Sequence, residues 1–158
     1  MSSRGFRSRQ VAFTLIELLL ALGAAAAVAL IAVPMYRDAV DKARTSRAVA
    51  DIAEISMALE RRRTVLGRWP PTLDDLPGNP PLIDPWGRPY RYLAIAVKPP
   101  PPTGKVRRDK NLNPLNRDFD LYSTGPDGET QTQLTARKAR DDIVRAGNGS
   151  FIGRAEDH

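Results

Sequence analysis

The 158 residues carry 24 Lys+Arg against 18 Asp+Glu, a formal net charge of +6, with one histidine and no cysteine. That length accommodates one modest domain plus a membrane segment. The missing cysteine excludes disulfides, thiol catalysis and zinc–thiolate centres. The sole histidine, His158, is the last residue and reads as a frayed end, and no serine stands beside a base, so the chain is expected not to be an enzyme.

The first residues, 1–12, contain Arg4, Arg7 and Arg9 and no acid. They supply three of the excess positive charges, so the high pI is read as ordinary solvated surface and no nucleic acid is expected as a partner. Between Phe13 and Val33 the only charge is Glu17. At about 1.5 Å per residue this run makes a helix of roughly 30 Å, enough to cross a bilayer core. The basic head is expected on the cytoplasmic side, with the rest of the chain beyond the membrane.

Glu17 is the anomaly of the run. A carboxylate within a span costs about 2.5–3.5 kcal/mol on insertion scales, so it needs a partner or a purpose. Phe13-Thr14-Leu15-Ile16-Glu17-Leu18 resembles the class III signal of the type IV pilin superfamily. That resemblance implies cleavage by a prepilin peptidase between Ala12 and Phe13, then methylation of the new Phe13 amine. Ala12 stands where family members usually have glycine. The cut makes Glu17 the fifth residue of the processed chain, and Pro34 falls where the family also tends to have proline. Physically, the Phe13 amine of one subunit can meet the Glu17 carboxylate of the next, each offsetting the other's desolvation.

The middle of the span is slender at Gly23 and Ala24–Ala27, which permits close helix approach in lipid. Pro34 is expected to kink the helix, with a melted turn between Gly23 and Pro34. Beyond it the helix resumes to about Arg63. Ala48, Val49, Ile52, Ile55, Ala58 and Leu59 recur at helical spacing, opposite Asp38, Asp41, Arg44, Arg47, Asp51 and Glu54. Arg61-Arg62-Arg63 suits a solvated last turn, and Gly67 a stop. The expected divisions are a leader over 1–12, the spanning half-helix over 13–33, the amphipathic half over 34–66 and a periplasmic head over 67–158.

In the head, Thr72 is expected to cap a short helix with Asp75, turning Leu73 and Leu76 inward, and Trp69 to be core or packed against the long helix. Asp84-Pro85-Trp86-Gly87-Arg88-Pro89 forces a tight turn, and Tyr90–Val97 alternates as a strand. Lys98–Leu115, with four consecutive prolines from Pro99, reads as a long exposed loop. Phe119–Ser123 is a second strand. A polar, helix-compatible stretch then leads to Asp141-Asp142-Ile143. Asn148–Gly153 suggests a last strand, and Arg154–His158 should fray.

The Asp84–Pro89 turn resembles the G-type major pseudopilin of type II secretion systems. So does Ser123-Thr124-Gly125-Pro126-Asp127-Gly128 followed by Asp141-Asp142-Ile143, which resembles that family's calcium loop. Carried over by position, the resemblance implies Ca²⁺ held by the Thr124 carbonyl, Asp127, the Glu129 carbonyl, Asp141 and Asp142. Carboxylates and carbonyls in loops suit calcium. The gap from Asp127 to Asp141 is roughly twice the family's spacing, and the Lys98–Leu115 loop is longer than usual.

Together these features imply an α+β, pilin-like fold: a long N-terminal helix on a small antiparallel sheet with a C-terminal loop region. The expected role is a homo-oligomeric filament subunit of a type II secretion pseudopilus, anchored in lipid at the bacterial inner membrane. Prepilin peptidase, minor pseudopilins and an inner-membrane assembly platform would be its partners. A type IV pilin or minor pilin in a surface fibre remains the alternative.

Overall fold

The computed structural model describes residues 13–74 and 76–158; the leader, Ala12 and Asp75 lie outside the described residues. One helix dominates, α1 (Leu15–Leu66). Thr14 starts it with a reciprocal cap. Its hydroxyl accepts from the Glu17 N–H at 3.3 Å, while Glu17 Oε2 accepts from the Thr14 N–H at 2.9 Å and hydroxyl at 2.8 Å. This Thr-x-x-Glu arrangement is a capping box. Gly67 ends the helix at φ +68, donating its N–H to the Arg63 carbonyl at 2.8 Å.

Helical structure is unbroken through Gly23 and Pro34, which corrects the expected melted turn. Pro34 removes its own donor only, and the residues on either side keep helical geometry. The chain divides into two compact units after Val40. In the first, mean hydropathy reaches 2.5 with none of the apolar stretch buried, and Leu15, Ile16, Leu20, Leu30 and Ile31 stand in the open. Exposed apolar surface on this scale fits a membrane anchor.

The second unit, Asp41–His158, is built on four strands. They are β1 (Arg91–Ala94), β2 (Phe119–Ser123), β3 (Ile143–Ala146) and β4 (Phe151–Arg154), all antiparallel in the order β1-β2-β3-β4. Strand β2 lies where the alternation puts it. Strand β1 is half the expected length, and Asp118 O instead accepts from the Ile95 and Ala96 N–H groups. Strand β3 had no counterpart in the sequence reading. Its residues Ile143–Ala146 are all buried, so they do not show the alternation that marks a half-exposed strand.

The two faces of the sheet are covered differently. On one, Ala48, Ile52, Ile55 and Leu59 of α1 form a core with Trp69, Tyr90, Phe119, Leu121 and Ile143. Phe119 is fully buried, with Trp69 at 4.7 Å and Tyr92 at 5.8 Å between ring centres. Leu73 and Leu76 pack against this core as expected, although 71–74 form bends and a turn rather than a helix. Asp51, expected on the solvated side of α1, is buried and accepts the Tyr90 hydroxyl at 2.9 Å. Arg63 is not merely solvated, since its guanidinium lies 4.7 Å over Trp69.

On the opposite face, Leu115, Leu134, Val144, Ala146 and Ala155 form a smaller cluster under the connecting loops. Two expectations fail here. The Lys98–Leu115 segment is not simply an exposed loop, because Val106, Arg107 and Leu115 are buried. The last residues do not fray: Ala155 is buried, its N–H reaches the Asp142 carbonyl at 2.9 Å, and the Phe151 and His158 rings meet edge to face at 5.1 Å.

Candidate functional site

Two places carry the residues that the sequence singled out. The first is the start of α1. Phe13 is 85% exposed, and Glu17 is held in the capping box by Thr14. Among the described residues no cation pairs with Glu17. One carboxylate oxygen is thus hydrogen-bonded locally, with no ion pair to it among the described residues.

The second place is where the two recognised turns meet, a contact the sequence did not announce. Asp84 closes its own turn: Oδ1 accepts from the N–H groups of Trp86 at 3.0 Å and Arg88 at 2.8 Å. Its other oxygen accepts the fully buried Ser123 hydroxyl at 2.5 Å. Arg88 reaches across to the carbonyls of Gly125 and, at 3.1 Å, Pro126. Gly125 and Gly128 sit at φ +62 and +75, where side chains are strained. A Cβ at Gly125 would also run into the Asp141 backbone, and one at Gly128 into the Arg88 guanidinium.

The five expected calcium donors fall around this junction without converging. Asp127 is exposed, and its Oδ1 accepts the Glu129 N–H at 2.7 Å. Asp141 Oδ2 accepts the Asp127 N–H at 3.2 Å. Burial first, and then the nearby Asp127 charge, raises the Asp141 carboxyl above its usual range despite these bonds. The Thr124 carbonyl accepts the Gly128 N–H at 3.2 Å, and the Glu129 carboxylate faces Lys138 at 3.1 Å. Asp142 points elsewhere. It is fully buried, its Oδ2 taken by the Arg107 guanidinium and, at 2.5 Å, by the Thr130 hydroxyl. Among the described residues no three Asp, Glu or His side chains gather as a cation cage. In this arrangement the donor set does not fit calcium, whose shell needs six to eight oxygens around one point.

Arg107 is the residue that sequence reasoning missed. Its N–H is accepted by buried Asp120 at 2.7 Å, its Nη1 donates to Thr130 at 2.9 Å, and its guanidinium lies 3.9 Å over the Tyr122 ring. Burial pushes the Asp142 carboxyl up to about 6, against the opposing pull of the Arg107 charge and the Thr130 hydrogen bond. A second buried cation, Arg145, pairs with Asp118 at 2.6 Å and lies 4.0 Å over Phe119. Burial would raise the Asp118 carboxyl, but bonds from Arg145 and the Phe119 N–H, with the Arg145 charge, hold it below its usual range. The only available signal was arginine in polar loops, and the sequence holds many of those.

The chain is 30% identical over 143 residues to type II secretion system core protein G of Pseudomonas aeruginosa, covering 78% of this chain and 88% of that protein. It is 28% identical over 146 residues to the Aeromonas hydrophila protein of the same name, covering 80% and 90%. No family model matches the chain, and no solved structure matches it. A likeness sustained over most of both chains is one of whole proteins rather than of a shared anchor helix, and on that ground the chain belongs to the core protein G family of type II secretion, the G-type pseudopilins.

Proposed function

We infer that this chain is a structural subunit of a type II secretion pseudopilus. The observation that carries the reading is the 30% identity to core protein G along 88% of its length. The apolar anchor and the α+β head support it. An inner-membrane anchor with a mechanical rather than enzymatic role fits these relatives. In the proposed topology the basic head is cytoplasmic and the domain after the span periplasmic. Prepilin peptidase cuts between Ala12 and Phe13, and the exposed Phe13 amine is methylated. On assembly, the amine of one copy approaches Glu17 of the next and neutralises a charge that the capping box only hydrogen-bonds. Minor pseudopilins and a membrane assembly platform are the proposed partners beyond further copies of the chain.

The test replaces Glu17 with Gln in cells whose own core protein G gene is deleted. Gln keeps the acceptor that Thr14 needs, so the capped helix survives while the charge is lost. The expected result is a processed, membrane-inserted protein that neither polymerises nor restores secretion. Filaments and secretion at the level of the unsubstituted chain would refute the role given to Glu17. Failure of the unsubstituted chain to restore secretion, where the native gene does, would refute the pseudopilus reading itself.

A further inference from the structure

We propose that Arg107 is the built-in cation that fastens the C-terminal loops of this pseudopilin to its sheet, so that the head keeps its fold without calcium. Two stretches stand out in the sequence, the long Lys98–Leu115 loop and the extended gap between Asp127 and Asp141. They pair with each other. The Arg108 N–H reaches the Thr132 carbonyl at 2.9 Å, and the Leu134 N–H reaches the Arg108 carbonyl at 3.0 Å. The Arg108 side chain adds a bond to Gln133 at 3.1 Å. Two loops zipped in this way leave Arg107 facing the sheet, where buried Asp120 on β2 anchors its backbone N–H at 2.7 Å.

From that position the guanidinium closes three structures at once. It reaches Asp142 at the entry to β3, Thr130 in the second loop, and the Tyr122 ring of β2. Arg107 and Asp142 side chains are 3% and 0% exposed, so this is an ion pair removed from water rather than a surface contact. Such a pair holds its partners together because separating them strands a charge in a place without solvent. The planar fork suits the role: one arm takes a carboxylate and the other a hydroxyl, which an ammonium cannot do with the same geometry.

The same contacts set a fixed positive charge where a divalent ion would have to approach Asp142. One oxygen of Asp142 faces a fixed positive charge. Its other oxygen is buried without a hydrogen-bond partner, as is Arg107 Nε. A second cation beside the guanidinium would add repulsion in a poorly screened site. Asp127 and Asp141 lie on the outer side and accept backbone N–H groups of their own loop. The long loops are therefore the means by which an arginine arrives where a metal would otherwise have to bridge the carboxylates.

The test is thermal unfolding of the full chain in detergent, followed by tryptophan fluorescence, in millimolar CaCl₂ and in EGTA. We expect midpoints that agree within error, and no heat of calcium binding by titration calorimetry. Arg107→Gln should lower the midpoint by on the order of 10 °C in both buffers. If that variant does not fold, Arg107→Lys should fold with a smaller loss, because it keeps the charge without the fork. A wild-type midpoint that falls by several degrees in EGTA and returns with calcium would overturn the proposal. So would Arg107→Gln unfolding at the wild-type temperature.

Discussion

Replacing Asp84 with Ala probes the junction of the two turns directly. Asp84 is 4% exposed and accepts three hydrogen bonds: Trp86 N–H at 3.0 Å, Arg88 N–H at 2.8 Å and the Ser123 hydroxyl at 2.5 Å. Alanine removes both acceptor oxygens and with them all three bonds. The Ser123 hydroxyl still accepts the Gly125 N–H at 3.1 Å but loses the oxygen to which it donates. A buried donor left without a partner costs about 1–3 kcal/mol. The Trp86 and Arg88 N–H groups lie nearer the surface, where water recovers part of the loss. Because the three bonds share one carboxylate their losses do not simply add, and the total is about 3–5 kcal/mol. At about 4 °C per kcal/mol for a domain of this size, the midpoint falls by roughly 12–20 °C. Asp84→Asn keeps one acceptor oxygen and turns the other position into a donor, so about half of that loss is expected. Trp69 and Trp86 are the only tryptophans, so fluorescence of the full chain in detergent follows the head and not the anchor. A drop below about 3 °C for Asp84→Ala would refute the reasoning, because Pro85 and Gly87 would then hold the turn without the carboxylate.

Gly125→Ala is expected to destabilise the head by about 2–3 kcal/mol, since it combines φ +62 with a collision against the Asp141 backbone; chemical denaturation at pH 7 measures it, and an unchanged midpoint would contradict the packing described. Asp118→Asn should cost about 2–3 kcal/mol at neutral pH, because it leaves the 5%-exposed Arg145 side chain short of its counter-ion. The fold lowers the Asp118 carboxyl below its unfolded value, so its contribution is full above that value and is lost as pH falls through the folded one. The stability gap between wild type and Asp118→Asn should thus hold from pH 7 to about 5 and begin to narrow only below about pH 4, closing as the pH falls through the folded value; denaturation curves at several pH values check both the size and the direction.

The parts legible in the sequence were those with a strong local signal. The apolar run from Phe13, the stripe through Ile52, Ile55 and Leu59, the Gly67 stop and the alternation of Phe119–Ser123 each declare themselves within a few residues. The Asp84 turn was equally local, because prolines and a glycine restrict the backbone whatever lies around it. What escaped was set by distance. Asp51 reads as solvated until Tyr90, far along the chain, brings it a hydroxyl, and Ser123 reads as a strand end until it meets Asp84. Strand β3 was hidden because both of its faces are covered. The calcium set was carried over by position from a resemblance. Position alone does not reveal that Asp142 turns inward to an arginine 35 residues earlier while Asp127 stays outside.

The faces of the sheet follow different physics, and the loops explain why. Against α1 the contacts are apolar and aromatic, with Ile52, Ile55, Leu59, Trp69 and Phe119 supplying area whose removal from water stabilises the fold without directional partners. The other face is covered by proline-rich, basic and threonine-rich loops that contribute Leu115 and Leu134 to its apolar cluster. Segments of that composition cannot seal a sheet by hydrophobic contact alone. They are held instead by groups that demand particular partners: Asp120 to the Arg107 N–H, and Arg107 to Asp142, with Asn116 bonding both Asp120 and the Arg145 carbonyl. Buried pairs of this kind add little net free energy relative to apolar packing of the same volume, but a misplaced loop would leave charges unmet. The polar network therefore selects one loop arrangement on a head that has no disulfide to impose it.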